Sequence, residues 1–248
     1  MKIAAVQMYT RIGKVSDNLV KIRDFVLKNK DADIVIFPEL AVSGYCMGEF
    51  DKYAAEIDGK TYKELSKIAR ENRVFIGCGF LEKENEKIYN SYLVFDKAGK
   101  LAAKYRKTHL IREFDEGLTR GNEVVVFETG FGKFGIAICY DLRFPEFWRA
   151  LMRKDVTGVF LPAQWPEKRI EHWNVLSRAR AIENQFFVVG ANGVGNFSGG
   201  ESQAVNPRGE IIGRLNDEEG ILRVEIDPGE VKRVREAFPC LLDICDDV

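Results

Sequence analysis

Short apolar runs and amphipathic stretches alternate along this chain. Ile3 to Met8 is apolar, and after a polar turn Leu19, Ile22 and Val26 fall on one face of a helix that Ser16 or Asp17 can cap. Ile34-Val35-Ile36-Phe37 reads as a short buried strand, ended by Pro38. The unit then repeats. A helical pattern over 61–71, with Leu65, Ile68 and Ala69 on one face, leads into the strand Val74-Phe75-Ile76-Gly77-Cys78. A hairpin of 88–95 and 101–105 follows, turned at Asp96-Lys97-Ala98-Gly99.

Beyond a charged loop at 111–123, strands at 124–128 and 133–138 flank Gly130-Phe131-Gly132, and Phe144 to Arg153 has the period of an amphipathic helix. Strand 157–161, loop 162–168, helix 171–184, strand 186–191 and a glycine-rich loop lead to two or three terminal strands. Strands alternating with helices at both ends, with hairpins between, predict an α/β protein with mixed sheets and helices on the outer faces. No linker-like segment interrupts the pattern, so residues 1–248 are expected to form one domain, with 229–248 a less regular, acidic tail that is either docked or loose.

Composition narrows the partners. Hydrophobic residues at 46% and charged residues at 30% describe a chain that folds by itself rather than a disordered one. With 37 Lys+Arg against 38 Asp+Glu, the net charge of −1 supplies no basic field for nucleic acid and no polybasic membrane patch, so a small molecule is the expected partner. No apolar run is long enough to span a bilayer, and Lys2-Ile3-Ala4-Ala5-Val6 lacks the zones of a signal peptide, so a cytoplasmic location is expected. Five cysteines without a CxxC pair suggest neither a disulfide framework nor a zinc site, and only two histidines exist, His109 and His172. No metal and no cofactor is implied, so any catalysis must draw on Cys, Lys and carboxylates.

Three segments carry chemistry. Gly135-Ile136-Ala137-Ile138-Cys139-Tyr140-Asp141 is a buried strand that ends at a cysteine and turns towards a helix, a rigid mount beside main-chain N–H groups that can act as oxyanion donors. A cysteine after apolar residues also has a plain reading as core packing. Phe37-Pro38-Glu39-Leu40 sets a carboxylate at the C-terminal end of a strand, where open α/β folds gather ligands. Glu39 is there either a general base or the partner of a neighbouring arginine. Lys104-Tyr105-Arg106-Lys107-Thr108-His109-Leu110 is by itself a solvated charge run; beside Glu39 and Cys139 its lysine could hold a thiolate and an oxyanion.

In this order, Phe37-Pro38-Glu39-Leu40 with Ser43-Gly44-Tyr45, Tyr105 to Leu110, and Cys139 to Glu146 resemble the nitrilase superfamily. The likeness extends to Leu161-Pro162-Ala163-Gln164-Trp165-Pro166, His172-Trp173, Arg178 to Gln185 and Asn206 to Glu210, and so covers nearly the whole chain. It implies a four-layer α-β-β-α sandwich and a triad of Glu39, Lys107 and Cys139, with three strand ends converging on one pocket. In the implied mechanism Glu39 takes the thiol proton, Cys139 attacks the amide carbon, and Lys107 with the Tyr140 backbone N–H holds the oxyanion. Many members carry a second glutamate soon after the lysine; Glu113 is favoured here and Glu116 stays open.

Nitrile-cleaving members usually follow the nucleophile with Trp-Glu, whereas Tyr140-Asp141 follows Cys139, which resembles the amidase branches. Cys139 to Glu146 with Ala163-Gln164-Trp165-Pro166 is similar to the omega-amidases, which act on short dicarboxylate monoamides. Tyr140, Arg143, Gln164 and Trp165 are then the expected substrate-binding residues. Arg143 or Arg112 could grip a carboxylate as a fork, or Arg143 could pair with Glu183 or Glu146. N-carbamoyl amino-acid hydrolysis is the nearest competing reaction, followed by nitrile hydrolysis, a Cys139 paired with His172 or His109, and a non-catalytic interaction protein. Cys46 and the aromatic residues Trp165, Trp173 and Phe197 are candidate pocket walls, Cys78 is expected in the core, and Cys240 and Cys245 lie in the tail. The family's habit of associating through outer helices implies a homodimer or larger assembly, with 171–184 as one candidate surface.

Overall fold

Successive side chains of a strand point to opposite faces, and the first strand sends them into two different cores. In β1 (Lys2–Gln7), Ile3 and Ala5 join one apolar cluster while Ala4 and Val6 join another, which is why the segment is apolar throughout instead of alternating. The computed structural model describes residues 1–245. Its longer elements in the first half are α1 (Val15–Leu27), β2 (Ile34–Ile36), α2 (Lys60–Asn72), β3 (Phe75–Glu84), β4 (Lys87–Phe95) and β5 (Leu101–Arg106). The second half carries β6 (Val126–Thr129), β7 (Gly132–Ile136), α3 (Pro145–Met152), β8 (Gly158–Ala163), α4 (Ile170–Asn184) and β9 (Phe187–Asn192). After these come β10 (Gln203–Val205), β11 (Ile211–Arg214), β12 (Gly220–Glu225) and α5 (Gly229–Ala237).

One sheet has the order β12-β1-β2-β3-β4-β5, with the short strand Ala55–Glu56 beside β3; the other has the order β11-β10-β9-β8-β7-β6. Each is built on a parallel trio, β1-β2-β3 and β7-β8-β9, with antiparallel strands on both sides. Ala4, Val6, Val35 and Ile76 of the first sheet pack on Ile22 and Val26 of α1 and Leu65 and Ile68 of α2. The opposite faces of these strands, Ile3, Ala5, Ile34 and Ile36, share a core with Phe134, Ile136 and Val159 of the second sheet. Trp148 and Leu151 of α3 and Trp173 and Ala181 of α4 complete that core. The result is a four-layer α-β-β-α sandwich.

Two local features differ from the sequence expectation. Ser16 and Asp17 lie inside the first turn of α1 and neither caps it; Asn18 holds the approach to the helix through Arg11 N, Arg11 O and Val42 O, a tertiary fastening that lets it begin at Val15. The stretch 229–248 is not irregular at its start, since Val231 and Val234 bury one face of α5. A 3-10 turn at Cys240–Asp243 follows, and the acidic end, 246–248, lies outside the described residues.

The topology gathers four loops at one edge. β5 is antiparallel to β4, which is antiparallel to β3, so β5 runs with the parallel trio and its C-terminal end lies at the same edge. Glu39 follows β2, Lys107 follows β5, Cys139 follows β7, and Gln164 follows β8.

Candidate active site

Glu39 is wholly buried and every one of its oxygens is engaged. Oε1 accepts from Lys107 Nζ at 2.9 Å and from Asn90 Nδ2 at 2.7 Å. Oε2 accepts from Gln164 N at 2.9 Å, and the Glu39 carbonyl accepts from Gln164 Nε2 at 2.9 Å. The loop can press this closely on β3 because Gly79 has no side chain: a Cβ there would stand 2.2 Å from Leu40 N and 2.4 Å from Pro38 O. Gly193 does the same for Gln164, whose Oε1 would lie 2.1 Å from an added Cβ.

Lys107 Nζ sits between two carboxylates, Glu39 Oε1 and Asp115 Oδ2, both at 2.9 Å, with all three side chains excluded from solvent. Burial works against its charge, but the attraction of Glu39 and Asp115 outweighs it and raises the ammonium pKa well above that of an ordinary lysine. Asp115 is itself held by the Tyr45 hydroxyl and by Ile111 N at 2.8 Å. Burial pushes the Tyr45 phenol far up, so it stays a donor, and its ring lies under the ammonium at 5.8 Å.

Cys139 opens a 3-10 turn, Cys139–Arg143, with φ +44°, a left-handed conformation costly for a side-chain-bearing residue and common at functional turns. Asp141 holds the turn. Its Oδ2 accepts from Ile138 N at 2.8 Å and the Tyr105 hydroxyl at 2.7 Å, while Oδ1 lies 3.1 Å from His109 N and 2.7 Å from His109 Nδ1. Trp148 Nε1 closes on the Asp141 carbonyl at 2.9 Å. Burial pushes the Cys139 thiol pKa well up and the charge of Glu39 adds to it, against the pull of Lys107 and the Gln164 N–H. The thiol therefore keeps its proton at neutral pH, and a carboxylate that could take it, that of Glu39, lies against it.

A cavity of about 350 Å³ opens over Cys139. Ile111, Phe114, Trp165 and Phe197 give it apolar walls, and Tyr140, Glu113, Arg143, Arg169 and His172 line it with polar groups. Among the described residues, no group of three or more His, Cys, Asp or Glu is arranged to hold a metal ion.

Residues 2–236 match the model of the carbon-nitrogen hydrolase family. The chain belongs to that family. It is 38% identical to the 2-oxoglutaramate amidase of Bacillus subtilis, over 99% of this chain and 98% of that protein. The crystal structure of Saccharomyces cerevisiae Nit3, a member of branch 10 of the nitrilase superfamily, superposes with a TM-score of 0.88 at 30% identity, covering 96% of this chain and 94% of that one. XC1258 from Xanthomonas campestris, a CN-hydrolase superfamily protein, superposes with a TM-score of 0.94 at 28% identity, covering 100% and 98%. The resemblance read from the motifs and the four-layer sandwich are both borne out.

Within this carbon-nitrogen hydrolase, the structure brings Glu39, Lys107 and Cys139 together, and it brings Asp115, not Glu113 or Glu116, to the lysine. Asp115 is buried, whereas Glu113 is exposed and lines the cavity. The sequence does not single out Asp115, because its distance from Lys107 depends on how a loop without regular structure folds back. Gln164 lines the cavity, but its amide is taken up by the Glu39 carbonyl and by Ser198 Oγ, which donates to Oε1 at 2.7 Å, so it positions Glu39. Arg143 pairs with neither Glu183 nor Glu146: Glu183 takes Arg180, and Arg143 lies over Trp165 with His172 beside it. Arg112 is exposed and outside the cavity lining. Among the described residues neither histidine bonds Cys139, since His109 serves Asp141 and His172 serves Arg143. Cys46 is packed with Leu40, Tyr45 and Phe50 instead of lining the cavity, and burial pushes its thiol up to about 11. Cys78 is core, as expected, and Trp173 lies buried behind Trp165.

Proposed function

We propose that this protein is an amidase that hydrolyses a small, carboxylate-bearing amide through an acyl-thioester on Cys139. The observation that carries this reading is a thiol that lines a cavity, backed by a buried carboxylate and an ammonium held between two acids. Glu39 takes the thiol proton as Sγ attacks the amide carbon. Lys107 and the Tyr140 N–H hold the developing oxyanion. Glu39 returns the proton to the amine, ammonia leaves, and the acyl group stays on sulfur. A water that gives its proton to Glu39 then attacks the thioester, releasing the carboxylic acid and restoring the thiol. Asp115 keeps Lys107 charged and in place. No step calls for a cofactor.

The names of the relatives support an amide over a nitrile as substrate, and the Bacillus and yeast proteins are described as 2-oxoglutaramate amidase and omega-amidase. We read the whole chain as one catalytic domain, since β12, far along the sequence, pairs with β1. A cytoplasmic location suits a thiol nucleophile and five unpaired cysteines, and no helix among the described residues is long and apolar enough to cross a membrane. Val175 and Ile182, exposed on the outer face of α4, support association into a homodimer or larger assembly, which light scattering on the eluting protein would measure.

The test of the reaction is ammonia release from short monoamides, N-carbamoyl amino acids and nitriles, by wild type and Cys139→Ala. Release from monoamides, abolished in the variant, is the expected result. Release only from N-carbamoyl compounds or nitriles would overturn the substrate assignment, and release that survives Cys139→Ala would overturn the mechanism.

A further inference from the structure

Asn90, buried in β4, holds two members of the triad at once. Its Nδ2 donates to Glu39 Oε1 at 2.7 Å, and its carbonyl accepts from Lys107 N at 2.8 Å. Two residues along the same strand, the Tyr92 hydroxyl donates to the Phe37 carbonyl at 3.1 Å, so one face of β4 fastens the segment that carries Glu39 at two points. The amide can face Glu39 only through its nitrogen, because the reverse orientation would set Oδ1 against a carboxylate oxygen. That leaves Oδ1 buried without a hydrogen-bond partner among the described residues, a penalty that an apolar side chain of similar size would not carry. Asn90 lies outside the cavity lining, so contact with substrate does not account for an amide in this place.

Each oxygen of an ionised carboxylate accepts at two sites. Both sites of Oε1 are filled, by Lys107 Nζ and Asn90 Nδ2, whereas Oε2 accepts the Gln164 N–H and has its second site to offer. The same N–H lies against the Cys139 sulfur, which places the thiol beside Oε2. We infer that Oε2 is the oxygen that takes the thiol proton, and that Asn90 is the positioning residue that reserves it by filling the second site of Oε1. This assignment rests on the amidase reading with Glu39 as base and deepens it. A hydrogen bond given to the charged form of a carboxylate favours that form, so loss of the Asn90 donor makes protonation of Glu39 easier. The titratable groups facing Glu39 are Lys107 and Cys139, with Asp115 and Tyr45 beyond the lysine, and substitution of Asn90 leaves all four in place.

Acylation of Cys139 by p-nitrophenyl acetate reads the proton transfer without an amide: Sγ bonds the acyl carbon, the thiol proton goes to Glu39, and p-nitrophenolate leaves unaided. Stopped-flow acylation across pH, and kcat and KM for succinamate, are measured on wild type, Asn90→Leu and Asn90→Ala. Both variants are expected to melt close to wild type, to lose about tenfold or more in acylation rate and kcat with KM little changed, and to move the acid limb of both profiles upwards by about half a pH unit or more. Melting of both variants far below wild type, an acid limb that stays in place, or a loss confined to KM would make Asn90 a structural residue and overturn the inference. Should the ester profile shift while succinamate yields no ammonia, the role of Asn90 stands and the amidase reading falls; no acylation of wild type by either compound would overturn both.

Discussion

β5 and the residue after it carry two charge clusters on opposite faces. Lys104 and Arg106 point to one side and meet Glu82, which is fully buried and also accepts from Ser91 at 2.6 Å. Tyr105 and Lys107 point to the other and meet Asp141 and Glu39. β4 repeats the division, with Ser91 on Glu82 and its neighbour Asn90 on Glu39. Both clusters bury a paired carboxylate. Burial works against the charge of Glu82, yet Arg106 and Lys104 hold its carboxyl below the usual range. The difference is what lies beside them: the Glu82 cluster reaches solvent through the partly exposed Lys104 and Arg106, while the Glu39 cluster stands behind a thiol and a cavity. Buried pairing alone does not mark a catalytic site; pairing next to a nucleophile and a space for substrate does.

Matched substitutions on the two faces should break this comparison if it is wrong. Lys107→Met is expected to lower kcat at least about a thousandfold and to cost about 3–5 kcal/mol of stability, because two buried carboxylates lose their common partner. Lys104→Met should leave kcat within about threefold and cost less than about 1 kcal/mol, since its side chain is 29% exposed. Steady-state kinetics and urea melts on the pair decide it. Next in size, Glu39→Gln should lower kcat by about a hundredfold to ten-thousandfold, while Glu82→Gln should change stability by about 1–3 kcal/mol and kcat little. Equal kinetic losses from both would erase the distinction.

Asp115→Asn should have a smaller effect, about tenfold to a hundredfold on kcat, because Glu39 still pairs with Lys107. The smallest effect, reckoned per pH unit, is on simple alkylation. A thiol whose pKa is raised is protonated at neutral pH, and its thiolate fraction grows as pH rises towards that pKa. Iodoacetamide labelling of Cys139 should therefore accelerate by about tenfold per pH unit between about pH 6 and 9, followed by peptide mass spectrometry. A rate flat across that range would show a preformed thiolate and remove the need for Glu39 as base.

Much of this was legible in the sequence, for identifiable reasons. Buried parallel strands announce themselves as short apolar runs, so Glu39 and Cys139 could be placed at strand ends, and the ordered motifs then singled out Lys107 from its basic neighbours. The period of two along 104–107 also contained the sorting into faces, but not the partner, since Glu82 comes from β3 and meets them only through sheet pairing. Asp115 was hidden because loop geometry, not periodicity, brings it to the lysine. The sequence places Gln164 at the edge where substrate is expected, without showing that Ser198 and Glu39 already occupy its amide. The helix at 229–237 was missed because only Val231 and Val234 interrupt a charged stretch.

The proposed reaction turns on Cys139 carrying the acyl group. Wild-type protein mixed rapidly with succinamate, quenched in acid and digested should give a Cys139 peptide heavier by the substrate less ammonia, appearing before the acid product and decaying as it forms. Ammonia released at the normal rate with no adduct on Cys139, or with the adduct on another residue, would contradict the account.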